Sequence, residues 1–215
     1  MVETKEMMSN FREQDIFSDF VASIDIDISL DMLEDELVLM QKDWPSIHKS
    51  NTSTIAIRIG GYQSPDFGYF GEDCPYKTFN SLRSKCVAAG QEYIMQRLNK
   101  LVSKDMYSWW CNINHVGDCN LLHHHTRTDL VGVFYIKSER NSGRLILTRN
   151  DGAQYCDMMH RQGQFFIKPT TGRLYLFPGH IWHRVEPNDS GVDRISVSFN
   201  MYTALSESLL NRLPQ

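Results

Sequence analysis

The sequence predicts a mainly β fold, an all-β barrel or double-sheet jelly roll, with flanking helices on the outside of one sheet. From residue 106 onward, short β-branched and aromatic runs alternate with turns that carry Gly, Asn, Asp or Pro. This spacing is typical of barrels and jelly rolls. Before that point, two longer segments repeat apolar residues at steps of three and four, which is the period of an amphipathic helix.

The first half of the chain is predicted to be mixed α and β. Leu30, Leu33, Leu37 and Met40 recur at helical steps and Asp31 is placed to cap the start, which predicts a helix over residues 30–42. A strand over Thr54–Ile59, a glycine turn over Gly60–Ser64, a loop over residues 66–78 and a long helix over residues 79–102 follow. The apolar face of the long helix consists of Leu82, Cys86, Val87, Tyr93, Ile94, Leu98 and Leu101.

The second half is predicted to be strands only. We predict them at Met106–Asn114, Asp129–Lys137, Gly143–Thr148, Gln164–Lys168, Arg173–Phe177, His183–Glu186 and Arg194–Tyr202. No linker-like segment divides the chain. We therefore predict one domain over residues 1–215, with a helical and mixed part (1–105) packed on the sheet of a β core (106–203).

Composition limits the partners and the compartment. The 215 residues are 41% hydrophobic and carry a formal net charge of -4, which argues against the clustered Lys and Arg of a nucleic-acid-binding surface. Five cysteines, odd in number and without a C-x-x-C pair, are typical of reduced thiols. The N-terminus does not have a signal-peptide pattern, and no apolar run approaches the roughly 18 residues of a membrane span. We expect a cytoplasmic protein.

Three histidines form the predicted metal site. His123 and His125 are two residues apart, so in a strand they share a face while His124 points the opposite way. His183, after the turn at 177–180, is the best third ligand. Three protein ligands leave coordination positions open, which distinguishes a catalytic iron from a closed structural zinc site. The alternative is a polar loop of histidines and a separate surface histidine.

Arg194 is the predicted anchor for an anion. It lies eleven residues after His183 and shares the polar face of the last strand with Ser196, whereas Ile195 and Val197 face the other way. A buried arginine is costly without an anion, and its planar fork matches a carboxylate in two parallel hydrogen bonds. We predict that Arg194 and Ser196 hold a carboxylate of a bound co-substrate. A structural salt bridge to Asp or Glu is the alternative.

Three further polar residues are candidates for co-substrate binding. Asn112 and Asn114 share one strand face, nine to eleven residues before His123. Their amides are placed either to bind a ligand or to bond the neighbouring strand. Tyr135 is a possible phenol donor inside the barrel, although core packing is the competing interpretation.

The chain from Ser108 to Tyr202 resembles the iron(II)- and 2-oxoglutarate-dependent oxygenases, most closely a bacterial and phage branch of them. Gly60-Gly-Tyr-Gln-Ser64 is also similar to a motif of that branch, so the resemblance covers most of the chain beyond residue 50. The other matching elements are Ser108-Trp-x-x-Asn-Ile-Asn114, Gly117-Asp-x-Asn120, His123-x-His125, Gly132-Val-Phe-Tyr135, Ser142-Gly143, Leu176-Phe-Pro178, His183-x-Val185 and Arg194-Ile-Ser-x-Ser-Phe-Asn200.

The resemblance implies a double-stranded β-helix with iron(II) in its mouth, held by His123, the third position and His183. It implies that Arg194 and Ser196 hold the distal carboxylate of the co-substrate 2-oxoglutarate. The implied activity is that of a dioxygenase, usually a hydroxylase, acting on a small-molecule or peptidyl substrate. The sequence does not indicate which substrate, and it leaves a homodimer open.

One position departs from the superfamily pattern. His125 stands where these oxygenases have Asp or Glu, and a neutral imidazole there leaves one more positive charge on the metal centre. Asp129, six residues after His123, is the alternative third ligand. Two other functions stay open at this point: a cupin-like three-histidine dioxygenase that does not use 2-oxoglutarate, and a non-catalytic metal-binding β-sandwich.

Overall fold

A computed structural model describes residues 19–44, 58–66, 74–98, 108–126, 128–148 and 163–202. These residues form two helices and eleven strands. The helices are α1 (Leu30–Asp43) and α2 (Lys77–Leu98). The strands are β1 (Ala22–Asp25), β2 (Arg58–Ile59), β3 (Tyr62–Gln63), β4 (Ser108–Asn114), β5 (Cys119–His123), β6 (Leu130–Lys137), β7 (Leu145–Thr148), β8 (Gln164–Ile167), β9 (Arg173–Pro178), β10 (Trp182–Val185) and β11 (Arg194–Met201).

The strands form two antiparallel sheets. The larger sheet has the order β1-β9-β6-β11-β4-β3, and the smaller has the order β2-β5-β10-β7-β8. From β4 to β11 the strands alternate between the two sheets, except that β7 and β8 pair with each other in the smaller one. This arrangement is that of a double-stranded β-helix. The predicted jelly-roll fold is therefore confirmed.

The side chains of strand β6 contribute to two hydrophobic clusters, one on each face of the larger sheet. Val131, Val133 and Tyr135 pack with residues of the smaller sheet in the space between the sheets. Phe134 and Ile136 belong to a second cluster that contains the buried residues of both helices. Because side chains alternate along a strand, a strand covered on both faces is apolar on both, as β6 is from Leu130 to Ile136.

The two helices pack against the outer face of the larger sheet, as predicted. Leu33, Leu37 and Met40 form the buried face of α1. Its N-cap is Ser29, whose hydroxyl accepts from the Met32 amide, so the prediction that Asp31 caps the helix was wrong. Ser29 precedes the first helical turn and has the extended backbone of an N-cap residue. The acidic side chain within the first turn still favours the helix through the dipole.

The glycine turn takes the backbone that was predicted. Gly60 and Gly61 have φ values of 72° and 69°, in the left-handed region that favours glycine. A Cβ on Gly61 would lie 2.3 Å from the Ile113 carbonyl oxygen, so the close approach to β4 also needs glycine. The following Tyr62 and Gln63 pair with β4 rather than continuing the predicted turn.

The predicted strands and helices agree with the structure to within two residues wherever both ends are described. Strands β1, β3 and β5 were not predicted, and β3 lies where a turn was predicted. All three are short, and none shows clean alternation of apolar and polar residues. Residues 54–57, 99–102 and 106–107 of the predicted elements lie outside the described residues, and the single domain over residues 1–215 stays a prediction. Neither described helix is long and apolar enough to cross a membrane.

Candidate active site

The three predicted histidines come together in the space between the sheets. One ring nitrogen of each lies within 4.8 Å of those of the other two. Antiparallel pairing places His123 of β5 opposite His183 of β10, with ring centroids 4.2 Å apart. His125 completes the group, with its ring centroid 5.3 Å from that of His123 and 5.0 Å from that of His183. Such a cluster has the size of a single-ion site.

Each of the three rings is oriented through its Nδ1 atom. His123 Nδ1 lies 2.7 Å from the Leu121 carbonyl oxygen, and His183 Nδ1 lies 3.0 Å from that of Ile181. His125 Nδ1 lies 2.5 Å from Asn200 Oδ1. A carbonyl oxygen only accepts, so Nδ1 carries the proton and donates in each ring. The lone pair of Nε2 is then free, which is the tautomer that a metal ligand needs.

Burial keeps these rings neutral. Desolvation lowers the pKa of His125 to about 4, against the opposing effect of its bond to Asn200. Burial also lowers the pKa of His123 and of His183, and the other histidines of the cluster lower the pKa of His183 further. At neutral pH all three Nε2 atoms therefore offer a lone pair rather than a proton.

His125 joins the cluster from a loop, whereas the sequence analysis placed it on the same strand as His123. Strand β5 ends at His123, so His125 lies in the following loop. Its amide donates to the Gly179 carbonyl oxygen, and the loop approaches Gly179 so closely that a Cβ there would lie 2.1 Å from the Thr128 carbonyl oxygen. A turn of the chain, rather than a strand, therefore places His125.

The other two candidates near this loop lie elsewhere. The His124 ring packs on the ring of Trp182, 4.5 Å between centroids, so His124 is apart from the cluster as predicted. Asp129, the alternative third ligand, does not belong to the metal-binding cluster of the described residues. The geometry favours the three-histidine set.

A cavity joins the histidine cluster to Arg194. Its walls come from the inner faces of both sheets. They consist of Gln63, Trp110, Asn112, Asn114, Asn120, His123, His125, Val131, Val133, Tyr135, Leu145, His183, Val185, Arg194, Ser196 and Ser198. All eight residues predicted to bind metal or co-substrate are among them. The fold thus brings together residues that lie up to 84 positions apart in the sequence.

Arg194 is a buried cation whose guanidinium is only partly bonded. The residue is 1% exposed. Nη1 donates to the carbonyl oxygens of Ser142 and Glu186, at 2.5 and 3.2 Å, whereas Nη2 is buried without a hydrogen-bond partner. Burial lowers the pKa of Arg194, although a guanidinium stays charged in proteins. The predicted alternative, a salt bridge to Asp or Glu, does not occur within the described residues.

The backbone around Arg194 is shaped to hold it. Gly143 has a φ of 84°, and a Cβ there would lie 2.6 Å from Arg194 Nη1 and 2.3 Å from the Glu186 carbonyl oxygen. The carbonyl oxygens of Ser142 and Glu186 are therefore close to Nη1 only because residue 143 is glycine. Arg194 is thus held through Nη1, while its Nη2 has no hydrogen-bond partner among the described residues.

The other predicted co-substrate residues stand next to Arg194 in the larger sheet. Strand pairing places Asn114 opposite Arg194, and Asn112 and Tyr135 opposite Ser196 on its two sides. Asn112 Nδ2 donates to a neighbouring hydroxyl, but its Oδ1 is buried without a partner. Burial raises the pKa of Tyr135 to about 12, so the phenol keeps its proton and remains a donor.

Two of the residues that the sequence prediction did not assign to the site are Trp110 and Asn200. Trp110 lies on the cavity wall, its ring centroid 5.9 Å from that of His125. It precedes Asn112 by two positions, so the alternation that singled out Asn112 and Asn114 already contained it. Asn200 bonds His125 and donates to Ser108 Oγ. Nothing in the local sequence indicated that bond, because 75 residues separate the two partners.

Comparison with known families agrees with this geometry. Residues 108–200, which run from β4 to the next-to-last residue of β11, match the family model described as "Putative 2OG-Fe(II) oxygenase". Over these 93 residues, 43% of its length, the chain is similar to the 2-oxoglutarate- and iron(II)-dependent oxygenases. It is an oxidoreductase, a 2-oxoglutarate-dependent dioxygenase, whose cofactors are iron(II) and 2-oxoglutarate. No curated protein shows significant sequence similarity to it.

Solved structures share the fold at low sequence identity. A prolyl hydroxylase from Trichoplax adhaerens, in complex with a hypoxia inducible factor peptide fragment, is 15% identical with a TM-score of 0.64, covering 88% of this chain and 86% of that one. A prolyl-4-hydroxylase from Pseudomonas putida is 17% identical with a TM-score of 0.56 (85% and 91% covered). HygX from Streptomyces hygroscopicus, with nickel and 2-oxoglutarate bound, is 10% identical with a TM-score of 0.57 (86% and 83% covered).

Proposed function

We propose that this oxygenase hydroxylates a small-molecule or peptidyl substrate at an iron centre held by the three clustered histidines. In this proposal Arg194 and Ser196 bind the distal carboxylate of 2-oxoglutarate. The remaining contacts to the co-substrate come from Asn112, Asn114 and Tyr135.

One observation carries the proposal: a single cavity holds three free imidazole lone pairs and a partly bonded buried guanidinium. The donor set fits iron(II), because three neutral imidazoles suit that ion and leave coordination positions open. The guanidinium fits a carboxylate, because Arg194 Nη2 is buried without an acceptor and such a donor is costly to leave unpaired. Nothing else among the described residues supplies that acceptor.

When bound, iron(II) and 2-oxoglutarate supply the oxidising chemistry: dioxygen is consumed, 2-oxoglutarate becomes succinate and carbon dioxide, and one oxygen atom enters the substrate. The protein's own residues orient the reactants. Arg194 fixes one end of the co-substrate by charge and direction. Asn200 holds the ring of His125 in place, and the apolar residues Val131, Val133 and Leu145 keep water from the cavity wall.

The hydroxylase outcome and the substrate class rest on fold relatives. Two of the similar structures are prolyl hydroxylases, and one of them holds a peptide fragment. At 15% and 17% sequence identity, these two structures share the fold of this chain, and hydroxylation is our proposal. A cytoplasmic location and a bacterial or phage origin of this branch also stay predictions from the sequence.

A second candidate is a cupin-like three-histidine dioxygenase whose substrate itself chelates the metal. The ligand set of three neutral histidines favours it. The partly bonded Arg194 favours 2-oxoglutarate instead, since a substrate-chelating mechanism does not need a carboxylate anchor in the same cavity as the metal ligands. Production of succinate distinguishes the two, because only the 2-oxoglutarate cycle yields it.

The test loads metal-free protein with iron(II) under anaerobic conditions, adds 2-oxoglutarate, and then admits oxygen. We expect one equivalent of iron, a visible charge-transfer band with 2-oxoglutarate, and slow succinate formation even without the primary substrate. His183→Ala should abolish all three. His180→Ala is the matched control, because His180 lies three residues earlier, is exposed, and pairs with Asp19. Stoichiometric iron without a charge-transfer band or succinate would disprove 2-oxoglutarate use.

A further inference from the structure

Among the described residues, no acidic side chain lines the cavity. Asn, Gln, Ser, Tyr and His side chains provide its polar lining, with Arg194 as its one charged member among the described residues. Asp118 is a described carboxylate with an electrostatic effect on the pKa of Arg194, which it raises. Asp118 is not part of the cavity wall, and its Oδ2 accepts from the His115 amide at 2.7 Å.

The histidine set makes the imbalance larger. With its three rings neutral, the cluster contributes no negative charge to a bound divalent ion. Iron(II) adds two positive charges and Arg194 one, and the two carboxylates of 2-oxoglutarate cancel two of these three. Counted over the part of the chain that the structure describes, one net positive charge is left in a buried site, where an unbalanced charge is costly.

We infer that the loaded cavity binds one further anion, and that this anion is a carboxylate or phosphate group of the primary substrate. This inference rests on the proposed function. It makes the substrate class more specific: an anionic compound or an acidic peptide, whose charged group lies close to the carbon that is oxidised. Trp110 and Gln63, on the part of the wall formed by β4 and β3, are placed to contact the rest of such a substrate.

The experiment measures anion affinity directly. Cobalt(II) replaces iron as an oxygen-insensitive ion, 2-oxoglutarate is added to saturation, and azide is titrated while the cobalt absorption is followed. Wild type is compared with His125→Asp, which introduces a carboxylate, and with His125→Gln, which removes the ring but stays neutral. A unit charge a few ångströms away changes the affinity for an anion by at least about tenfold.

We expect wild type and His125→Gln to bind azide at least tenfold more tightly than His125→Asp. We also expect the azide affinity of the wild-type protein to be at least tenfold higher than that of the free cobalt–2-oxoglutarate complex in solution. This second comparison decides the matter if His125→Asp does not load cobalt. Displacement of azide by acetate or by methyl phosphate then shows which anion class the cavity prefers.

Equal azide affinity in wild type, His125→Asp and the free complex would overturn the inference and leave the proposed function intact. If wild type does not bind cobalt and 2-oxoglutarate at all, the proposed function fails and the inference fails with it. Tight azide binding that neither acetate nor methyl phosphate displaces would overturn the assignment to a substrate group.

Discussion

Replacing Arg194 with leucine separates two tasks that the structure assigns to one side chain. Nη1 donates to the carbonyl oxygens of Ser142 and Glu186, which is a structural task. Nη2 has no partner among the described residues and is the atom we assign to the 2-oxoglutarate carboxylate. Arg194→Leu should therefore weaken co-substrate binding and also lower stability, by amounts that different measurements resolve.

The size of each effect follows from the contacts. Removing one partner of a buried charge-assisted pair costs about 2–5 kcal/mol, and about 1.4 kcal/mol is a factor of ten. The dissociation constant for 2-oxoglutarate should therefore rise by roughly 30-fold to a few thousand-fold. A buried carbonyl that loses its donor costs about 1–3 kcal/mol, so the free energy of unfolding should fall by a few kcal/mol.

The assay is anaerobic titration of 2-oxoglutarate into iron-loaded protein, followed by charge-transfer absorption. Iron affinity measured beforehand shows whether the folded site persists, because Arg194 donates to the carbonyl oxygens of Ser142 and Glu186 and is not one of the three clustered histidines. Ser196→Ala is the matched control, because Ser196 lies two residues after Arg194 on the same strand face. It removes only a neutral hydrogen bond of about 0.5–1.5 kcal/mol and should weaken binding by no more than about tenfold. A folded Arg194→Leu protein that binds 2-oxoglutarate within threefold of wild type would refute the role of the arginine.

Three further predictions concern the metal ligands, each measured as iron content after chelator treatment and reloading. His123→Ala should lose iron while His124→Ala keeps it, because the ring of His124 is apart from the cluster; equal losses would contradict the geometry. His125→Ala should lose iron and Asp129→Ala should not, and the reverse result would make Asp129 the third ligand. Asn200→Leu should weaken iron binding about 10- to 100-fold, because the ring of His125 is no longer held by a hydrogen bond. Asn200→Asp keeps an acceptor for that bond and should bind iron about as tightly as wild type.

The sequence by itself determined the fold class and most of the site. Strand β11 illustrates why: alternation puts Arg194 and Ser196 on one face, and their chemistry requires an anion whatever the rest of the fold does. Buried strands of this kind have a strong period and clear turns, so their boundaries were predictable to within two residues. Short strands such as β5 were not, because their few residues carry too little apolar pattern and the neighbouring strands decide the pairing.

Only the tertiary structure decided how the third histidine is held. His125 lies beyond the end of β5, where no local period applies, and its position depends on the Gly179 carbonyl oxygen and on Asn200. The same holds for the charge state of the cavity. The sequence contains eight histidines and 26 acidic residues. Burial and packing determine which histidines are neutral and which acidic side chains lie away from the cavity. Contacts between residues that are distant in the sequence form only when the two sheets pack against each other, so the local sequence around each residue does not predict them.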